Sequence, residues 1–176
     1  MHPAFHRATV LFTTMRSFDY GRSSMEPVVE DRSVHHALVA KIMQEWVPFN
    51  AYLGIRVVRV TEGHTVIHLP FREQFVGDSA RPALHGGVLS ALADACGGTA
   101  VWSTVGPEDR VSTIDLRIDY LRPAPLEELV ATADVLRVGN RVGVATIRIA
   151  ACSEPEQVLV EGKGVYAIRR GEDRGG

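Results

Sequence analysis

Cysteine is scarce in this chain of 176 residues: only Cys96 and Cys152 occur, with neither a C-x-x-C pair nor metal-ligand spacing. That scarcity excludes a disulfide framework, and both cysteines are read as reduced core residues of an intracellular, cytoplasmic protein. Charge of one sign is lacking too. With a formal net charge of −2 the chain offers no basic footprint for nucleic acid and no acidic tail. No apolar run reaches the roughly 20 residues that a membrane-spanning helix requires, so no membrane partner is expected and the chain is read as soluble. Internal repeats and low-complexity tracts are also missing. What is present is globular in character, 45% hydrophobic and 23% charged, and long enough to bury a substantial core in one domain.

Residues 1–32 differ from the rest, with Arg7, Arg16 and Arg22 but a single acid before Glu26. They are read as a disordered N-terminal extension or as sequence upstream of a start at Met25; the arginines also fit a transit peptide. Residues 33–170 form the single folded domain, and 171–176 a frayed tail. From Ser33 to Trp46 the apolar residues Val34, Leu38, Val39, Ile42, Met43 and Trp46 recur at helical spacing. This predicts an amphipathic helix capped by Ser33 and ended before Pro48. Two β-branched runs separated by Glu62-Gly63 predict a hairpin, and Arg72–Ala83 a loop.

Leu84–Thr104 has apolar or small residues on every side of a helical wheel, which predicts a helix buried all round. Four strand-like runs follow, Val111–Leu121, Glu128–Val138, Arg141–Cys152 and Gln157–Arg169, with turns at Gly139-Asn140 and Ser153–Glu156. No helices alternate with these strands. An α+β fold is therefore expected, its antiparallel sheet wrapped around the long central helix.

Between Leu84 and Val105 the only charged residue, apart from a possible His85, is Asp94. An unpaired carboxylate is costly to bury, so its retention points to use. No Lys or Arg lies nearby in the helix to pair with it, although a distant partner in a salt-bridged interface would be a purely structural alternative. His85-Gly86-Gly87 precedes the helix. Glycines allow close approach to the backbone, and the first helical N–H groups, lacking intrahelical partners, can bind an oxyanion or carbonyl; a tight turn is the plainer reading. At 1.5 Å per residue Gly86 and Asp94 of one chain stand roughly 12 Å apart along the axis, too far to act on one carbonyl. Two copies of the helix packed antiparallel would unite them across a twofold axis.

"LHGGVLSALADACGGTA", followed by "STIDLRIDYLRPAP" and "VLVEGKGVYAI", resembles the PaaI-like thioesterases of the hotdog-fold superfamily, over about Tyr52 to Ile168. The resemblance implies a hotdog homodimer or homotetramer that hydrolyses acyl-CoA thioesters with no metal and no cofactor other than the CoA of its substrate. It implies that the N–H of Gly86 polarises the thioester carbonyl, with Gly87 beside it. Asp94 of the other subunit would act as general base or nucleophile, and His85 would hold the loop in place. Thr113, seven residues before Tyr120, matches a Ser or Thr that positions water or the acid. Strand parity puts Ile114, Leu116, Ile118 and Tyr120 on the apolar face and turns Thr113 away from the helix, unless a bulge intervenes.

Where many relatives have an asparagine six or seven positions before the histidine, this chain has Ser79 and Asp78, and an ionised Asp78 accepts hydrogen bonds but donates none. CoA phosphates require cations. Arg137 and Arg141 flank the Gly139-Asn140 turn and are the assigned contacts, with Arg117 and Arg122 as further candidates. His64 and His68 lack a third ligand at sensible spacing and are read as surface residues. The competing reading is a non-catalytic acyl-CoA-binding module, a sensor or accessory subunit; a hydratase of the same fold matches the H-G-G and Asp94 pattern less well.

Overall fold

The computed structural model describes residues 32–78, 80 and 82–171. Apart from Arg32, the expected extension lies outside the described residues, as do Ser79 and the tail beyond Gly171.

The first helix departs from expectation. Ser33 does not cap it but begins it: α1 spans Ser33–Lys41, and Arg32 at the cap position makes no side-chain capping bond. A π-helical turn, Ile42–Trp46, follows and closes with the Val47 N–H donating to the Ile42 carbonyl at 3.0 Å. Because α1 packs chiefly against the edge strand β1 (Arg56–Thr61), the contact is narrow. Of the six apolar positions expected to face inward only Val39 is buried, and Val34, Leu38 and Trp46 are exposed. Pro48 starts a second helix, α2 (Pro48–Leu53), at the first position, where a missing N–H is harmless and φ is already helical. Gly54, at φ 73°, ends it in the left-handed conformation that glycine adopts without strain.

β1 turns through Glu62-Gly63, with Gly63 at φ 73°, into β2 (His64–Leu69), as the sequence predicts. The expected loop contains a short ladder of β3 (Val76–Asp78) and β4 (Ala83–Leu84). It leads into α3 (Gly86–Trp102). Then come β5 (Arg110–Tyr120), β6 (Leu129–Val138), β7 (Val142–Ala151) and β8 (Glu154–Arg169). The six long strands form one antiparallel sheet ordered β1-β2-β6-β7-β8-β5. Register shifts in β1, β5, β6 and β8 mark bulges, which bend and twist strands and so help this sheet curl.

The concave face carries Ile67, Leu69, Leu129, Ile147 and Ile149, all at most 2% exposed, interleaved with Ala131, Ala133 and Ala145. The small residues let α3 approach closely, and Leu89, Leu92, Ala93, Cys96 and Ala100 fill the space. Each fully buried Leu or Ile side chain contributes about 1.5–3 kcal/mol of transfer free energy. Within one chain α3 is nevertheless not covered all round: Gly87, Ser90, Asp94, Gly98 and Trp102 recur every three or four residues and, with Ala91, stay half-buried or exposed. Two further details differ from expectation. The β7–β8 turn lies at Cys152-Ser153, with Ala151 pairing to Glu154 and Ala150 to Val158, so Pro155 and Glu156 occupy an irregular strand start instead of the turn. Cys96 is buried, whereas Cys152 in that turn is only half-buried.

Candidate active site

Asp94 sits midway along α3, on the stripe that the sheet leaves open. Thr113 Oγ1 donates a hydrogen bond to Asp94 Oδ1 at 2.8 Å. Strand parity alone would turn Thr113 outward, but β5 contains a bulge. Thr113 pairs with Tyr166 and Asp115 with Val165, leaving Ile114 as the extra residue. Ile114 is 58% exposed, while Thr113 on one side of it and Leu116 and Ile118 on the other all face α3. Among the described residues no cation pairs with Asp94, and its Oδ2 has no hydrogen-bond partner.

Tyr166, 1% exposed, hydrogen-bonds through its hydroxyl to the Asp94 carbonyl at 3.4 Å. Its ring fits a notch left by Gly97 and Gly164, where a Cβ at either position would overlap the hydroxyl. Burial, then the nearby Asp94 and Cys96, push the phenol well above its ordinary range, so it remains a neutral donor. Asp94, Thr113 and Tyr166 line a cleft of about 340 Å³ whose other walls include Met43, Val47 and Phe49 from the N-terminal helical segment and Trp102 from α3. Tyr166 stands in the motif "VLVEGKGVYAI", but nothing in that motif marks its contact with Asp94, 72 residues away.

The start of α3 is a second constellation. His85 occupies the cap position and accepts the Gly87 N–H on Nδ1 at 2.9 Å, which fixes the loop and engages the Gly87 donor. The Gly86 N–H has no partner among the described residues. The Gly86 carbonyl accepts from the Tyr120 hydroxyl at 3.0 Å and from Ser90 Oγ at 3.2 Å, and these two oxygens lie 2.5 Å apart. A Cβ on Gly86 would lie 3.3 Å from the Tyr120 ring, so glycine lets the two pack face to face. Ser90 was not anticipated, and Tyr120 only as a marker of the sequence pattern. At about 1.5 Å per residue the helix holds Gly86 and Asp94 of one chain roughly 12 Å apart.

Other candidates lie elsewhere. Asp78 Oδ1 accepts the Ala80 N–H at 2.8 Å, as an acceptor in a turn. Arg137 and Arg141 belong to the β6–β7 hairpin, whose Gly143 abuts Val101 at the far end of α3 from Gly86. Arg117 pairs with Asp119 at 3.2 Å, and Arg122 donates to the Val158 carbonyl at 2.6 Å. His64 pairs with Asp134 at 2.8 Å.

The thioesterase superfamily matches residues 82–156, the span from just before His85 to the start of β8. The chain is 36% identical over 144 residues to the medium/long-chain acyl-CoA thioesterase YigI of Escherichia coli, covering 74% of this chain and 92% of that protein. Among solved structures, the E. coli PaaI protein from the phenylacetic acid degradation operon superposes with a TM-score of 0.70 at 26% identity, over 79% of this chain and 96% of that one. A thioesterase family protein from Silicibacter pomeroyi, 23% identical, shares the fold with a TM-score of 0.70 over 76% of this chain and 97% of its own. With its antiparallel sheet curled around α3, the chain belongs to the hotdog-fold thioesterase superfamily.

Proposed function

We propose that the protein hydrolyses an acyl-CoA thioester to the free acid and CoA in the cytoplasm, with Asp94 of one copy acting on a carbonyl polarised by the Gly86 N–H of a second. The observation that carries this reading is the state of Asp94: a carboxylate oriented by the Thr113 hydroxyl, its backbone carbonyl held by Tyr166, with no cation against it among the described residues, at a largely apolar cleft. As general base, Asp94 takes a proton from water as the oxygen bonds to the thioester carbon. The developing oxyanion is held by the Gly86 N–H, the C–S bond breaks, and the proton passes to the departing CoA thiolate. As nucleophile, the same carboxylate would attack the thioester carbon and expel CoA as its thiolate; water then opens the resulting anhydride to the free acid and the Asp94 carboxylate, and the proton it releases goes to the thiolate. Thioesters are reactive enough for either route to need no metal and no further cofactor.

The open stripe on α3 supports self-association as a homodimer, or a homotetramer built from one. Placing Gly86 of one helix beside Asp94 of an antiparallel copy centres the twofold axis near Ser90, sets Gly87 level with Ala93, and puts Gly98 level with the segment before the second helix. It also brings Arg137 and Arg141 level with the loop preceding the second helix, where they serve the CoA phosphates; Asp78 and Ser79 are the residues of that loop assigned to the same substrate. His85 positions the loop in this scheme, and Thr113 orients the acid.

The second reading, an acyl-CoA-binding module without turnover, is favoured by Asp78, an acceptor where a donor is common in relatives and already engaged by Ala80. Release of free CoA from short, medium, long and aryl acyl-CoAs, compared between the native chain and Asp94→Asn, separates the two. Turnover lost in the variant supports hydrolysis. Saturable binding without turnover in either protein supports the module.

A further inference from the structure

We propose that His68, Glu128 and Cys152 form a site for a thiophilic divalent cation, Zn²⁺ fitting best, on the outer face of the sheet. This site is independent of the Asp94 chemistry. Their donor atoms, one nitrogen, one carboxylate oxygen and one sulfur, lie within 4.8 Å of one another, and all three residues are half-buried. His68 projects from β2 on the side opposite Ile67 and Leu69, so the sheet separates the cluster from α3.

The geometry distinguishes a metal site from a nucleophilic triad. In a triad the imidazole uses one nitrogen for the thiol and the other for the carboxylate. Here the same Nδ1 faces both, at 2.6 Å from Glu128 Oε1 and 3.7 Å from Cys152 Sγ. Three donors thus converge on one point. Tetrahedral Zn²⁺, with bonds of about 2.0–2.1 Å to nitrogen and about 2.3 Å to sulfur, sets those two atoms about 3.6 Å apart, close to what is found. The nitrogen–oxygen pair must open from its hydrogen-bonded distance to about 3.4 Å as the cation replaces the proton between them. Arg56 hydrogen-bonds the same Glu128 oxygen, Oε1, that faces His68, so the cation either displaces this guanidinium from Oε1 or takes the carboxylate's other oxygen.

The protons have somewhere to go. The Cys152 thiol proton leaves to solvent and the His68 ring proton moves to Nε2, so thiolate and carboxylate set two negative charges against the divalent ion, and the Arg56 guanidinium beside Glu128 leaves the cluster with one net positive charge. Water fills the fourth position. Without a metal, burial, then Glu128 and Glu127, raise the Cys152 thiol above its ordinary range and keep it unreactive. In sequence His68 lacked further ligands, because Glu128 and Cys152 lie 60 and 84 residues away.

The test is titration of the reduced full-length protein with Co²⁺, followed by the near-ultraviolet sulfur-to-cobalt charge-transfer band. The expected result is a band that saturates at one equivalent per chain and disappears on adding Zn²⁺. It should be absent in Cys152→Ser and need at least tenfold more cobalt in His68→Ala, with unchanged circular dichroism in both variants. Histidines elsewhere in the chain bind cobalt without producing this band. No band in the native protein overturns the site, as does a band that persists in folded Cys152→Ser. Should Cys152→Ser fail to fold, the His68→Ala titration decides alone: cobalt affinity within twofold of the native protein overturns the site.

Discussion

The two faces of the sheet treat charge in opposite ways. On the outer face carboxylates meet basic side chains: Arg148 pairs across strands with Glu161 at 3.6 Å, His64 with Asp134 at 2.8 Å, and Glu128 with both Arg56 and His68. On the inner side Asp94 is held by a threonine hydroxyl, and its turn of helix by a tyrosine, with no cation within the chain among the described residues. A carboxylate neutralised by a guanidinium is a weakened base. Asp94 has a single neutral hydroxyl on its carboxylate instead, and on the role proposed for it that pairing leaves the acid available to a proton or a carbonyl carbon.

Breaking the inner arrangement should have the largest effects. Asp94→Asn is expected to lower CoA release at least 100-fold, equivalent to about 2.7 kcal/mol in the barrier, with the circular dichroism spectrum unchanged. Ala91→Arg places a charge on the open stripe of α3; it should separate the copies in analytical ultracentrifugation and abolish turnover while the monomer stays folded. Gly97→Ala drives a methyl group into the Tyr166 hydroxyl and should cost about 1–3 kcal/mol in denaturant melts.

The comparison is sharpened by a buried charge that does have a cation. Asp109 is opposed by its burial, yet the Gly106 amide, Arg170 and the Gly171 amide outweigh it and hold the carboxyl below its ordinary range. Asp109 Oδ2 lies 2.7 Å from Arg170. A depressed folded value means that its stabilisation is complete above the unfolded aspartate value of about 3.9 and is lost as pH falls through the folded value. Asp109→Asn should therefore cost about 1–3 kcal/mol at pH 7 and flatten the acid limb of the stability curve below about pH 4. His64→Ala, on the outer face, should change stability by less than about 1 kcal/mol, and less still in high salt.

Much of this architecture was legible because its signals are local. Alternating β-branched residues, Gly63 at the hairpin and the apolar run of α3 each specify structure within a few neighbours. Asp94 was conspicuous for the same reason, as a lone charge in that run. The bulge at Ile114 was not, since it arises from how β5 pairs with a strand some fifty residues later and no glycine marks it. The π-helical turn at Ile42–Trp46 likewise has no glycine or proline within it to announce it. Tyr166 beneath Asp94, and His68 beside Cys152, are encounters between distant segments that exist only once the sheet has closed.

The notch that receives Tyr166 has a consequence for timing. A ring fitted between Gly97 and Gly164, its hydroxyl on the Asp94 carbonyl, leaves that turn of α3 no room to shift. On the role proposed for Asp94, the ordering needed to aim the carboxylate is therefore completed during folding, and little reorganisation would remain for each turnover.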